Sequence, residues 1–141
     1  MAEIAPDLRI TDDFAAAAGA ALSAGRPILA DCEMVCHGIV GASAPVISTL
    51  NDPAARERGL ALGTTRSAAA VELWRPHLEG AVVVIGNAPT ALFALLEMID
   101  GGGPRPAAIA AVAAASGLTG NASSVHAWGR RARAAVEDAR E

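Results

Sequence analysis

The segment Gly86-Asn87-Ala88-Pro89-Thr90 follows a run of valines and precedes a helix-forming stretch, so it reads as a tight strand-to-helix turn. The first turn of a helix carries unpaired N–H groups and a partial positive charge, which suit an anionic ligand. In open α/β sheets, ligands collect outside the carboxyl ends of the strands. Asn87, Ala88 and Thr90 are therefore candidate ligand contacts, and a plain structural turn capped by Asn87 is the alternative. The segment is neither a G-x-G-x-x-G fingerprint nor a phosphate loop. A second candidate is Gly63-Thr64-Thr65-Arg66-Ser67. Arg66 falls in the first turn of a helix, where the helix dipole disfavours a cation. A residue placed against its local preference can be there for a ligand, and an arginine holds a carboxylate through two parallel hydrogen bonds. An ordinary surface arginine is the alternative.

A third cluster, Asp31-Cys32-Glu33-Met34-Val35-Cys36-His37, gathers several titratable groups. His37 can donate a proton near neutral pH. Cys32, Cys36 and His37 raise the question of a metal, but a structural zinc site takes four ligands and no fourth lies nearby. No metal is expected, and the thiols read as buried and inert. His77 follows Arg75-Pro76 in what reads as a solvated, helix-ending loop, and His126 lies in a Ser-Ser-Val-His run.

These groups need a scaffold. Residues 13–24 are rich in alanine and form a helix that Gly25 ends. Residues 27–31 read as a buried strand, 33–37 as a turn or short helix, and 45–50 as a second strand. Asn51-Asp52-Pro53 opens a helix that Gly63 breaks. Thr64 or Thr65 caps a helix over 66–74, stopped before Pro76. Residues 81–85 are the strongest strand, and 90–99 the helix after the turn, ended by the glycines at 101–103. Strand and helix alternate, which argues for a parallel α/β sheet with flanking helices. Residues 107–115 fit either a weak strand start or an alanine-rich helix, so three strands are convincing. Residues 117–121 form a loop, and Ser123 or Ser124 caps a helical C-terminal tail reaching Arg140, with a charged, solvated face.

Composition narrows the classes. The chain has 141 residues, 52% of them hydrophobic and 18% charged, which is too apolar for disorder and fits one domain. Alanine makes up about a quarter, and only four residues are aromatic. A core of small aliphatic groups buries less area per residue than a leucine-rich one, so the fold is expected to be of modest stability or completed by a partner chain. All 11 basic residues are arginines, which excludes lysine Schiff-base chemistry. Net charge is −4 and the pI about 5.3, so no nucleic-acid footprint is present. No run approaches the ~18 apolar residues that span a bilayer. The start, MAEIAPDLRI, lacks a signal pattern, so a cytoplasmic location with reduced cysteines is expected.

Four motifs in order, RPILADCEMVCHGI, PVISTLNDP, LGTTRSAAAVELW and AVVVIGNAPTALFALLEMI, resemble the precorrin-8X methylmutase (precorrin isomerase) family over roughly residues 4 to 108. The resemblance implies an α/β homodimer of cobalamin biosynthesis, without metal or organic cofactor. It implies migration of a methyl group at ring C of a corrin precursor, giving hydrogenobyrinic acid. Such a polycarboxylate macrocycle needs an apolar cleft with anion holders, for which Arg66, Ser67, Asn87, Ala88 and Thr90 are the candidates. In this family a histidine in a His-Ala-Cys-Gly motif is thought to protonate the macrocycle. That motif would precede Met1, which implies a chain shortened at its N-terminus. His37 matches a different position, within a Met-Val-x-His-Gly segment, and does not inherit the role. The tail, GNASSVHAWGRRARAAVEDARE, is similar instead to an early Gly-Asn-Pro-Ser-Ser-Val-His segment of cysteine desulfurases, with Ala122 in place of proline. The expected division is thus an isomerase-like domain over 1–108 and a helical tail over 109–141. The expected activity is a corrin isomerase; a non-catalytic corrinoid-binding module, or a chimeric fragment without activity, are the alternatives.

Overall fold

The computed structural model describes residues 10–86 and 88–111. Expectations for residues 112–141, including the tail helix and His126, lie outside the described residues, as does Asn87.

Four strands form one parallel sheet in the order β2-β1-β3-β4. They are β1 (Ile28–Ala30), β2 (Val46–Ser48), β3 (Val82–Ile85) and β4 (Ala108–Ala111). β1 pairs on one side with β2, Ile28 opposite Val46, and on the other with β3, Ile28 opposite Val82. β3 pairs in turn with β4, Val83 opposite Ile109. The fourth strand resolves the ambiguity of residues 107–115. Alanine has little strand preference of its own, and here the register against β3 decides.

Side chains alternate across the sheet as the strand period demands. Leu29, Val83 and Ile85 point to one face and pack with Val71, Trp74, Leu78, Leu92, Leu95 and Ile99. Those partners come from α4 (Arg66–Glu72), Trp74 just after it, α5 (Arg75–Leu78) and α6 (Pro89–Asp100). Ile28 and Val82 point to the other face and pack with Ala21, which α1 (Phe14–Ser23) supplies. The larger side chains are thus concentrated on the α4–α6 face. Trp74 is almost fully buried there, and among the described residues its indole N–H finds no acceptor.

Local signals set most element boundaries. Asp52 caps α3 (Pro53–Leu62) by accepting the Ala54 N–H at 2.9 Å, Pro53 enters the first turn, and Gly63 ends the helix at φ +63°. Thr65, rather than Thr64, caps α4 by accepting the Ala68 N–H at 3.1 Å. The helix expected over 66–74 is divided: α4 closes at Glu72, and Pro76 stands in the first turn of α5, where its missing N–H costs nothing. His77 is exposed as expected, but it lies on α5 rather than in a loop. The remaining helix, α2 (Glu33–Gly38), follows directly on β1.

Candidate functional site

The order β2-β1-β3-β4 makes the chain leave β1 in one direction for β2 and return to its other side for β3. The carboxyl ends of β1 and β3 therefore flank a topological switch point, where open α/β sheets form their ligand crevices. The residues next after those strands are Asp31 and Gly86.

Asp31 is 3% exposed. Its own N–H donates to the Val84 carbonyl at 3.2 Å, which continues the ladder between β1 and β3. One carboxylate oxygen accepts the Gly86 N–H at 3.0 Å, and the other accepts the Ala88 N–H at 2.7 Å. Ala88, not Asn87, stands at the N-cap position of α6. Its N–H, expected to face a ligand, is engaged by a carboxylate of the chain itself. A methyl group at Gly86 would run into the Val35 side chain on α2, so any larger residue forces a shift where this helix meets the turn.

The two motifs singled out by sequence meet. The Thr65 hydroxyl donates to the Thr90 hydroxyl oxygen at 3.0 Å, joining the start of α4 to the first turn of α6. Thr65 also accepts the Ala68 N–H. Thr65 thus ties its own helix start to that of α6. Thr90 and Arg66 are exposed, and Ser67 and Ala88 are half-buried. Among the described residues Arg66 has no carboxylate partner; the ion pairs are Arg75 with Glu72 and His37 with Glu33. Thr49 fastens the end of β2 to α4 by donating to the Ala70 carbonyl at 2.7 Å.

His37 is placed apart from these donors. It lies in the last turn of α2, its side chain is 84% exposed, and Nε2 is 4.0 Å from the Glu33 carboxylate. Cys32 is buried, whereas Cys36 is only half-buried and so falls short of the expected enclosed thiol. Burial first, then the charge of Glu33, pushes the Cys36 thiol above its ordinary value. No group of three or more potential ligands stands within reach of one metal ion among the described residues. Sequence reasoning had noted Asp31 only as one titratable group in its cluster. Its partners lie 55 and 57 residues away, so nothing local to Asp31 announces them.

The family model for precorrin-8X methylmutase matches residues 1–134. The chain belongs to this family. The match takes in most of the segment beyond 108. A precorrin-8X methylmutase of Pseudomonas aeruginosa is 52% identical over 113 residues, covering 77% of this chain and 54% of the relative. One of a Sinorhizobium species is 56% identical over 101 residues, covering 69% and 48%. Among solved structures, a precorrin-8X methylmutase related protein superposes with a TM-score of 0.67 at 38% identity, over 71% of this chain and 55% of the other. The family enzyme from Thermus thermophilus gives 0.62 at 34% identity, over 72% and 51%. The chain spans about half the length of the curated relatives it matches. Among the described residues, no helix is long and apolar enough to cross a membrane.

Proposed function

We propose that this chain serves corrin biosynthesis as a precorrin-8X methylmutase-like isomerase, supporting methyl migration at ring C to give hydrogenobyrinic acid. One observation carries the reading. The Arg66 and Thr90 motifs, far apart in sequence, are joined by the Thr65–Thr90 hydrogen bond, and among the described residues Arg66 has no carboxylate partner. A cation and an exposed threonine hydroxyl suit the carboxylates of a corrin, and charge-assisted hydrogen bonds to such groups are the strong kind. Ser67 and Asn87 complete the binding set in this proposal, and Ala88, whose N–H is taken by Asp31, serves to place Thr90. The protein's contribution is to hold the macrocycle and to place a proton donor against it, with His37 as the candidate donor. A cytoplasmic homodimer is part of the same proposal. Residues 1–108 are the unit that carries the site, since every candidate contact falls within them.

A second reading, a corrinoid-binding module without turnover, is favoured by the position of His37, which faces solvent and leans on Glu33. Size-exclusion chromatography with hydrogenobyrinic acid tests the binding that both readings share, with protein and pigment absorbance recorded together. Pigment co-eluting at a dimer's volume supports the proposal; a folded protein peak without pigment overturns both. Visible absorbance during incubation with precorrin-8X then separates them, since only the isomerase changes the spectrum.

A further inference from the structure

The start of α6 is where a substrate carboxylate would be expected, because helix N-termini draw anions. The structure places a carboxylate of the protein there instead. We propose that Asp31 is the positioning residue of this site: its buried carboxylate acts as an internal anion that holds the β3–α6 turn, so that Thr90 and Arg66 receive the substrate's carboxylate. The proposal rests on the corrinoid reading above.

Several features support it. Asp31 reaches the turn from the protein side, being almost wholly buried, and it spends both oxygens on two different N–H groups of that turn. Two bonds from one rigid carboxylate fix the turn in rotation as well as in distance, which a single acceptor would not do. The residue itself is anchored, since it follows β1 directly and donates to Val84 of β3. From Ala88 the fixed geometry passes through Pro89, whose ring sets φ, to Thr90, which Thr65 holds from the other side. Val35 on α2 closes over Gly86. A ligand carboxylate is kept from the Gly86 and Ala88 N–H groups by occupancy and by like charge. It is directed to the exposed Thr90 and Arg66.

Asp31→Asn and Asp31→Gly test this, with affinity for hydrogenobyrinic acid read by visible absorbance and melting temperature read in parallel. An asparagine must turn its NH2 toward one of the two N–H donors, so Asp31→Asn is expected to bind roughly tenfold more weakly or worse, the scale of one lost charge-assisted bond. In Asp31→Gly, sodium formate is expected to refill the vacated place and restore affinity toward wild type, while leaving Asp31→Asn and wild type unchanged. Wild-type affinity in a folded Asp31→Asn overturns the proposal. So does formate that raises the melting temperature of Asp31→Gly without restoring affinity, since Asp31 would then be structural only. Amide exchange at Gly86 and Ala88 stands independently of both variants' yields. Slow exchange in wild type supports the held turn, and exchange as fast as in an open loop overturns it. If wild type fails to bind hydrogenobyrinic acid, the corrinoid reading falls, whereas slow exchange at these two amides still upholds Asp31 as the holder of the turn.

Discussion

Arg66 is exposed in the first turn of α4, against that helix's dipole, and among the described residues it has no carboxylate partner. Its exposed position makes Arg66 a direct test of the proposed binding set. Arg66→Ala should weaken binding of hydrogenobyrinic acid by about 1.5–3 kcal/mol, the range for hydrogen bonds to charged groups. Because the side chain is exposed, the melting temperature should not move. A titration and a melt on the same variant check both halves. Cys36 makes a prediction of opposite kind. Its thiol is pushed above the ordinary value of 9.0, chiefly by burial. The unfolded thiol therefore ionises first as pH rises, and the folded state holds its proton longer. The contribution of Cys36 to stability is full below about pH 9 and is lost as pH climbs through the raised folded value. Urea denaturation at pH 8 and pH 10 should show wild type losing more stability between the two than Cys36→Ser does.

Among the elements, α2 meets the β3–α6 turn where Val35 lies over Gly86. Gly86→Ala places a methyl group into the Val35 side chain, and overpacking of this kind costs about 1–3 kcal/mol. Val35→Ala should return part of that loss when combined with Gly86→Ala, although alone it destabilises. Chemical denaturation of the four proteins in the cycle measures this coupling. The ends of α3 could be read from Asp52, Pro53 and Gly63, because caps and left-handed glycines are local physics. β1 and β3 stood out as apolar runs of strand length between turn signals. β4 did not, because an alanine-rich segment acquires its conformation from the strand beside it. Likewise the donors around Arg66 and Thr90 were visible one motif at a time, but the hydroxyl contact that joins them spans 25 residues. The role of Asp31 was hidden for the same reason: a carboxylate after a strand is common, and only the fold shows what it accepts.

At the scale of the molecule, every strand pairing is parallel and joins segments far apart in the chain. The sheet is consequently a product of the whole described chain rather than of any one stretch. Its stability should be graded from the centre outward. β1 and β3 are each paired on both sides, while β2 and β4 are each paired on one side among the described residues. Native-state hydrogen exchange should find the amides of Val83 and Leu29 opening only with global unfolding. Those of Ile47 and Ala110 should exchange through smaller openings. Equal protection in all four strands would contradict the graded picture. The site occupies the well-protected part of this gradient, since Asp31 and Gly86 follow the two central strands.

The long reach of Asp31 has a consequence for biosynthesis of the chain itself. Asp31 is made early, and the Ala88 N–H that it accepts lies 57 residues later. At ribosomal rates of about 5–20 residues per second, roughly 3–11 seconds separate the two events. During that interval the carboxylate has neither of its turn donors and remains in water, and β1 has no β3 to join. Local helices such as α3 can form in the meantime, whereas the ligand crevice cannot. The Asp31-held turn is a late product of translation, and a ribosome stalled between the two positions would carry a chain with much of its secondary structure and without that turn.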